Sequence, residues 1–250
     1  MGSQILALAI DASVEAGFTT PASLFGIYDE GDTTPQKLRR ALTKTVQLLA
    51  ATWDWQVLRR ERIWTSLASQ TQTGMVPDDF LRFIDGTFWD RSNKFRLRGP
   101  LSPEEWQTAV SWQTGAVTPY FCQRGGDILT YPTPSSGRIY AFEYISNQIG
   151  TASDGAARSA FSADTDTTLW DDELIIQGIV THYRELNRLE SANERYSFER
   201  LMHDRIKQDG GRRKINMCGR KLTAADRLGE MRSAAVIAPN NGPQWGGSDW

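Results

Sequence analysis

The sequence predicts an α+β protein: a helical bundle from the N- and C-terminal segments, a β-rich inserted middle region, and an extended C-terminal arm. Three observations predict it. Apolar residues recur at helical spacing near both ends of the 250-residue chain. Runs rich in β-branched and aromatic residues, broken by glycine and proline, fill the middle. The last stretch, roughly forty positions, carries no apolar period with which to bury itself. Segregated runs of this kind place residues 1–54 and 165–211 in the bundle, 55–164 in the insertion and 212–250 in the arm.

Residues 4–16 read as a first helix, closed by Gly17, a residue that accepts the left-handed geometry of a helix end. Thr34-Pro35 supplies a cap and a first helical position for a second helix, whose buried stripe is Leu38, Leu42, Val46, Leu49 and Trp53. Past Trp53-Asp54-Trp55 the period shortens. Residues 57–67, 80–89 and 94–97 are predicted strands, separated by Gly74, Pro77, Gly86 and Gly99. Ser102-Pro103-Glu104-Glu105 has the capping-box spacing and starts a short helix running to about residue 113. Residues 119–122 and 127–131 pair as a hairpin around Arg124-Gly125-Gly126-Asp127. The stretch 138–146 is apolar on both faces and is expected at the centre of a sheet.

Helical spacing returns after Thr168, with Leu174, Ile175, Gly178, Ile179, His182, Leu186 and Leu189 on one face. Asp171, Asp172 and Glu173 stand where the helix dipole favours negative charge. Phe198, Leu201, Met202 and Ile206 mark a last long helix ending at Gly210-Gly211. Beyond it the chain turns basic at Arg212, Arg213, Lys214, Arg220 and Lys221. A short helix is expected over 223–233, and the end is rich in Asn, Gly and Pro with Trp245 and Trp250.

The composition is that of a folded chain: 40% hydrophobic and 23% charged residues, neither disordered nor collagenous nor disulfide-stapled. Lys and Arg number 28 against 30 Asp and Glu, a net charge of −2 that gives bulk charge no hold on nucleic acid. Cys122 and Cys218 form no CxxC pair, so a reduced cytoplasmic site of assembly is expected. No apolar run is long enough to span a membrane. The apolar stretch 5–10 is cut by Asp11 and preceded by no cation, so no signal peptide is expected. Leu6 stands where myristoylation needs Ser or Thr.

Catalytic signatures are missing from the pattern. There is no phosphate-cradling glycine loop and no nucleophile elbow. The two histidines, His182 and His203, sit within helical patterns, and one core and one surface imidazole are expected. Neither is spaced with a cysteine as a zinc ligand. Asp164-Thr165-Asp166 begins like a calcium loop but lacks the later carboxylate and glycine, and reads as a turn. No cofactor or metal is expected.

Two features suit interfaces. Lys94, Arg96 and Arg98 alternate with Phe95 and Leu97, so three cations are expected on one strand face over two apolar groups. Arg60 and Arg62 are expected to do likewise. A solvated face is the first reading of these five; contact with a neighbouring subunit or a DNA channel comes next. Of nine tryptophans, Trp53, Trp55 and Trp64 fall in periodic segments, whereas Trp106, Trp112, Trp245 and Trp250 do not and are candidate interface anchors.

Several blocks in order resemble a known family. They are the Thr34-Pro35 helix ending in Trp53-Asp54-Trp55; Asp127-Ile128-Leu129-Thr130-Tyr131-Pro132 followed by Ile139-Tyr140-Ala141-Phe142-Glu143-Tyr144; and Phe161-Ser162-Ala163-Asp164-Thr165-Asp166 leading into Leu169-Trp170-Asp171-Asp172-Glu173-Leu174. Over residues 33–211 the chain resembles the head-to-tail connector or adaptor proteins of short-tailed bacteriophages, the tail tubular protein A type. The resemblance implies a non-enzymatic ring, commonly a dodecamer, at the portal vertex of the virion, between the portal protein and the tail nozzle or tail fibre proteins. Genomic DNA would pass through it without sequence-specific binding, and no membrane would be involved. On that reading Arg212, Arg213, Lys214, Arg220, Lys221, Trp245 and Trp250 form the portal interface. The alternative reading is a tail-associated carbohydrate-binding or glycan-cleaving protein using exposed tryptophans such as Trp106 and Trp112 and the Asp164/Asp166 pair.

Overall fold

The computed structural model describes residues 2–26, 33–111 and 119–210, all within one of the two units into which the chain divides, Met1–Arg212. The fold is mixed α+β, with helices at both ends of the described chain and antiparallel strands between them.

Helix α1 (Ile5–Ala16) ends at Gly17, whose φ of 73° lets its N–H reach back to the carbonyls of Ser13 and Val14. Helix α2 (Thr34–Thr52) buries Leu38, Leu42, Val46 and Leu49 of the predicted stripe, with Pro35 in its first turn, whereas Trp53 follows the helix in extended backbone and is half-buried. Helix α4 (Asp172–Leu186) packs against α1, α2 and α5 (Ala192–Gly210). Its start is capped by Asp171, whose side chain accepts from the Leu174 N–H. Leu174, Ile175 and Ile179 are fully buried, each such side chain contributing about 2 kcal/mol by leaving water.

Gly178 is what lets α4 approach α2. A Cβ there would lie 2.2 Å from Thr45 Cγ2. The helical core does not stop at the helices, because it takes in Trp55, Leu58, Ile145 and Ile149 from the middle segment.

The largest sheet runs β1 (Arg59–Thr65), β8 (Ile139–Ser146), β4 (Trp89–Asp90) and β5 (Phe95–Arg96), with β3 (Phe80–Phe83) also paired to β8. The predicted central strand is central. The predicted hairpin is β6 (Tyr120–Arg124) and β7 (Asp127–Tyr131), turned at Gly125 with φ 62° and extended by β2 (Thr71–Gln72). A parallel bridge from Arg98 to Tyr120 joins the two sheets. Between them lies an aromatic core of Trp64, Phe88, Phe121, Tyr140, Phe142 and Tyr144, with Leu97 and Ile128. Its rings meet mostly tilted or edge to face, at 4.4 Å for Phe88–Phe121 and 5.7 Å for Trp64–Phe142. Tyr144 donates its hydroxyl to Asp79. Burial first, and that bond second, push its pKa up to about 12.

Helix α3 (Pro103–Ser111) carries the predicted capping box. Ser102 N–H donates to Glu105 at 2.8 Å, and Glu105 N–H donates to Ser102 Oγ at 3.3 Å. This helix lays Trp106 over Cys122 and Leu129, covering the outer face of β6 and β7.

A third, small sheet of β9 (Gly150–Thr151), β10 (Ala157–Arg158) and β11 (Thr167–Thr168) was not predicted; strands of two residues are too short to show a period.

Candidate functional site

The sequence singles out five cations of the β region as a contact surface, and the structure separates them. In β1, Arg60 stands opposite Tyr144, Arg62 opposite Phe142 and Trp64 opposite Tyr140. Directly opposed residues share a face, so the two arginines lie on the side of the aromatic core. The expected arrangement is reversed: Ile63 faces outward and is 48% exposed. Trp64 decides this, because a large ring of the same parity as the arginines carries that face inward. Arg60 Nη1 donates to the carbonyls of Val57 and Arg59, and Arg62 Nε is buried with no hydrogen-bond partner among the described residues.

The predicted strip Lys94, Arg96, Arg98 is also corrected. Lys94 has φ 60° and belongs to the turn before β5, which Asp90 ties down by accepting from both the backbone and side-chain N–H groups of Asn93. Phe95 is exposed rather than buried, and only Leu97 enters the core. Arg96 stands opposite Trp89, which stands opposite Ala141, which stands opposite Ile63. Arg96 therefore lies on the outer face, opposite to that of Arg60 and Arg62. Arg98 is exposed at the bridge to Tyr120. The five cations form no single strip. The outer face is further neutralised by pairs of Arg59 with Glu143 at 3.8 Å and Arg91 with Glu61.

The tryptophan and carboxylate candidates also find structural places. Trp106 is buried beneath α3 and offers no exposed ring. Asp166 is buried and accepts from the N–H groups of Ser162 and Ala163, while Asp164 accepts from Ser23 Oγ and Leu24 N–H. Both carboxylates hold turns, as the sequence reading of this segment expects. Among the described residues no group of three His, Cys, Asp or Glu side chains could hold a metal ion. No described helix is long and apolar enough to cross a membrane.

His182 is the core imidazole and His203 the exposed one. His182 Nδ1 lies 2.9 Å from Thr45 Oγ1, and burial holds its pKa below the usual histidine value, with the Lys44 charge adding to the effect. Cys122 is a buried thiol whose pKa burial pushes up. The portal-interface candidates Arg212, Arg213, Lys214, Arg220, Lys221, Trp245 and Trp250 lie outside the described residues, as do Trp112, Cys218 and the helix expected over 223–233.

Two surfaces escaped the sequence reading. One is an open cleft of about 330 Å³ at the end of α5, lined by Trp55, Trp170 and Arg205, which pairs with Asp171 at 2.9 Å. The other is the outer edge of β1 with the apolar face beside it that no described element covers, where Ile139 is 45% exposed and Trp89 is half-buried. Its signal in the sequence is Ile63, set directly after four charged residues at positions 59–62, and a second apolar row on a strand that is apolar on both sides.

No protein-family model matches the chain, and no curated protein matches it.

Proposed function

We propose that this chain is a structural adaptor that assembles as a ring, a dodecamer on this reading, between the capsid portal and the tail of a short-tailed bacteriophage. Its terminal helices form a bundle that makes the ring wall, and its β-rich middle faces the tail nozzle or fibres. The segment 212–250 is the arm that reaches the portal, and the genome passes through the channel. The protein is non-catalytic, assembles in the host cytoplasm and resides at the portal vertex of the virion.

One observation carries the reading. The sequence blocks that resemble the connector family fall on elements that meet. Trp55, at the end of the first block, and Trp170 with Leu174, from the last, line one cleft and share one core. Sequence segments more than a hundred positions apart that build one joint are a stronger match than the same words scattered over unrelated surfaces. The nearly neutral total charge suits a channel that DNA slides through without sticking.

The test is a class-averaged electron micrograph of the full chain mixed with its portal protein. A ring seated on the portal is expected; a chain that stays monomeric and unbound at high concentration overturns the reading. Truncation after Gly211 sharpens it. The truncated chain is expected to keep its circular dichroism and unfolding midpoint but to lose portal binding, since residues 213–250 form a unit separate from Met1–Arg212. Loss of the fold on truncation would remove the arm from the account.

A further inference from the structure

We propose that the outer edge of β1 is a docking site for an extended acidic-apolar segment of another protein, which adds to the sheet as a further antiparallel strand. The inference rests on strand geometry and does not depend on the adaptor reading.

The direction of the β1 backbone follows from its neighbour. Glu143 donates its N–H to Thr87 Oγ1 and accepts from Ile84 N–H, and Ile139 accepts from Arg91 N–H and donates to Ser92 Oγ. Odd-numbered residues of β8 thus spend their backbone groups on the β3 and β4 side. Glu61, Ile63 and Thr65 stand opposite Glu143, Ala141 and Ile139. In an antiparallel pair the hydrogen-bonding and non-bonding positions alternate together, so the N–H and C=O groups of Glu61, Ile63 and Thr65 point away from the sheet. No described residue partners them. Among the described residues the edge is closed only at its first residue and beyond its last: Arg60 Nη1 donates to the Arg59 carbonyl, and the Gln72 side chain takes both backbone groups of Leu67.

The side chains state what would fit. An added strand sets alternate residues on the two faces. On the outer face its residues meet Ile63 and, one strand further in, Ile139, both exposed. The comparable outer face of β6 and β7 is covered by α3, which shows that this architecture closes such a face with an apolar layer. On the inner face the added residues meet Arg60 and Arg62. Arg62 is in no ion pair among the described residues, and its buried Nε lacks an acceptor. A carboxylate there supplies it. The same charges argue against self-pairing, because two copies of β1 lying antiparallel bring Arg60 and Arg62 of both chains together on one face. The occupant is therefore a different chain, acidic on one side and apolar on the other, recognised by strand addition.

The probe is a blocked, fluorescently labelled peptide of sequence Thr-Glu-Val-Glu-Val-Glu-Thr, titrated into the full-length chain and followed by anisotropy. Saturable binding is expected, roughly tenfold weaker when lysine replaces glutamate at low salt. N-methylation at the valine amides, which face the β1 edge, is expected to abolish binding, whereas N-methylation at the glutamate amides leaves it. Arg62→Glu is expected to reverse the preference between the acidic and basic peptides. Four results would overturn the proposal. They are no saturable binding, indifference to the peptide's charge, equal binding of both N-methylated forms, or a concentration-dependent dimer that excludes the peptide and is lost in Ile63→Lys. The peptide arms use the unaltered chain, so a variant that fails to fold does not decide the outcome.

Discussion

The two large cores of this protein close by opposite means. The helical core is mostly aliphatic and depends on close approach: Gly178 admits Thr45, Thr45 meets His182, and small residues such as Ala9, Ala12 and Ala41 let helices touch. The β core is aromatic and depends on shape, with Phe142 ringed by Trp64, Phe80, Phe83, Phe88 and Tyr144. A core of interlocked rings is intolerant of loss, whereas a core of close-set helices is intolerant of gain.

Three experiments break or sharpen that contrast. The largest effect is expected from Phe142→Ala, which removes the ring at the centre of the aromatic cluster; a loss of about 4 kcal/mol in guanidinium unfolding is expected. A loss no greater than that of a surface substitution would mean the rings do not act together. Next is Gly178→Ala, which adds one methyl where a Cβ would meet Thr45 Cγ2 at 2.2 Å, and is expected to cost about 2 kcal/mol. Thr45→Ser, which deletes that methyl and keeps the hydroxyl, should return part of it. Failure of the second change to help would place the strain elsewhere.

The smallest effect is one of pH. Burial keeps the folded His182 pKa below the unfolded value of about 6.5, so below that pH the unfolded chain takes up more protons. The sign is then fixed: the contribution of neutral His182 is present above about pH 6.5 and is lost as pH falls through the folded pKa. Lys44 and Arg195 face the ring and steepen the loss, while Glu185 opposes it. The melting temperature should decline below about pH 6.5 in the unaltered chain, and more shallowly in His182→Gln. Parallel slopes would show that other groups carry the acid sensitivity.

Much of this fold is legible in the sequence. The helices were readable because their apolar stripes are long and regular, as with Leu38 to Leu49 and Leu174 to Ile179, and because Gly17 and the Ser102/Glu105 pair mark ends by mechanism. The central strand announced itself by carrying apolar groups on both faces. Facing was harder. Alternation shows that Arg60, Arg62 and Trp64 share a side but not which side turns inward, and the ring outweighed two cations that can extend to the rim. Lys94 was misplaced because Asp90 and Asn93 build a turn whose hydrogen bonds leave no trace in hydrophobic period. The two-residue strands at 150, 157 and 167 exist only through their partners. The outer edge of β1, unpaired among the described residues, leaves no mark in the sequence for the same reason, since pairing is a property of a strand's neighbours.

The bond between Ser3 and Asp172 spans 169 positions, and Ile5 is held by the Asp166 carbonyl. On a ribosome, then, helix α1 emerges long before α4, the helix it packs against most. The opening segment must wait, its apolar side unsheltered, through the synthesis of the whole β-rich middle. Contacts of such separation slow folding and lengthen exposure to chaperones and proteases. Residues made early, at positions 3–16, are among the last to find their place.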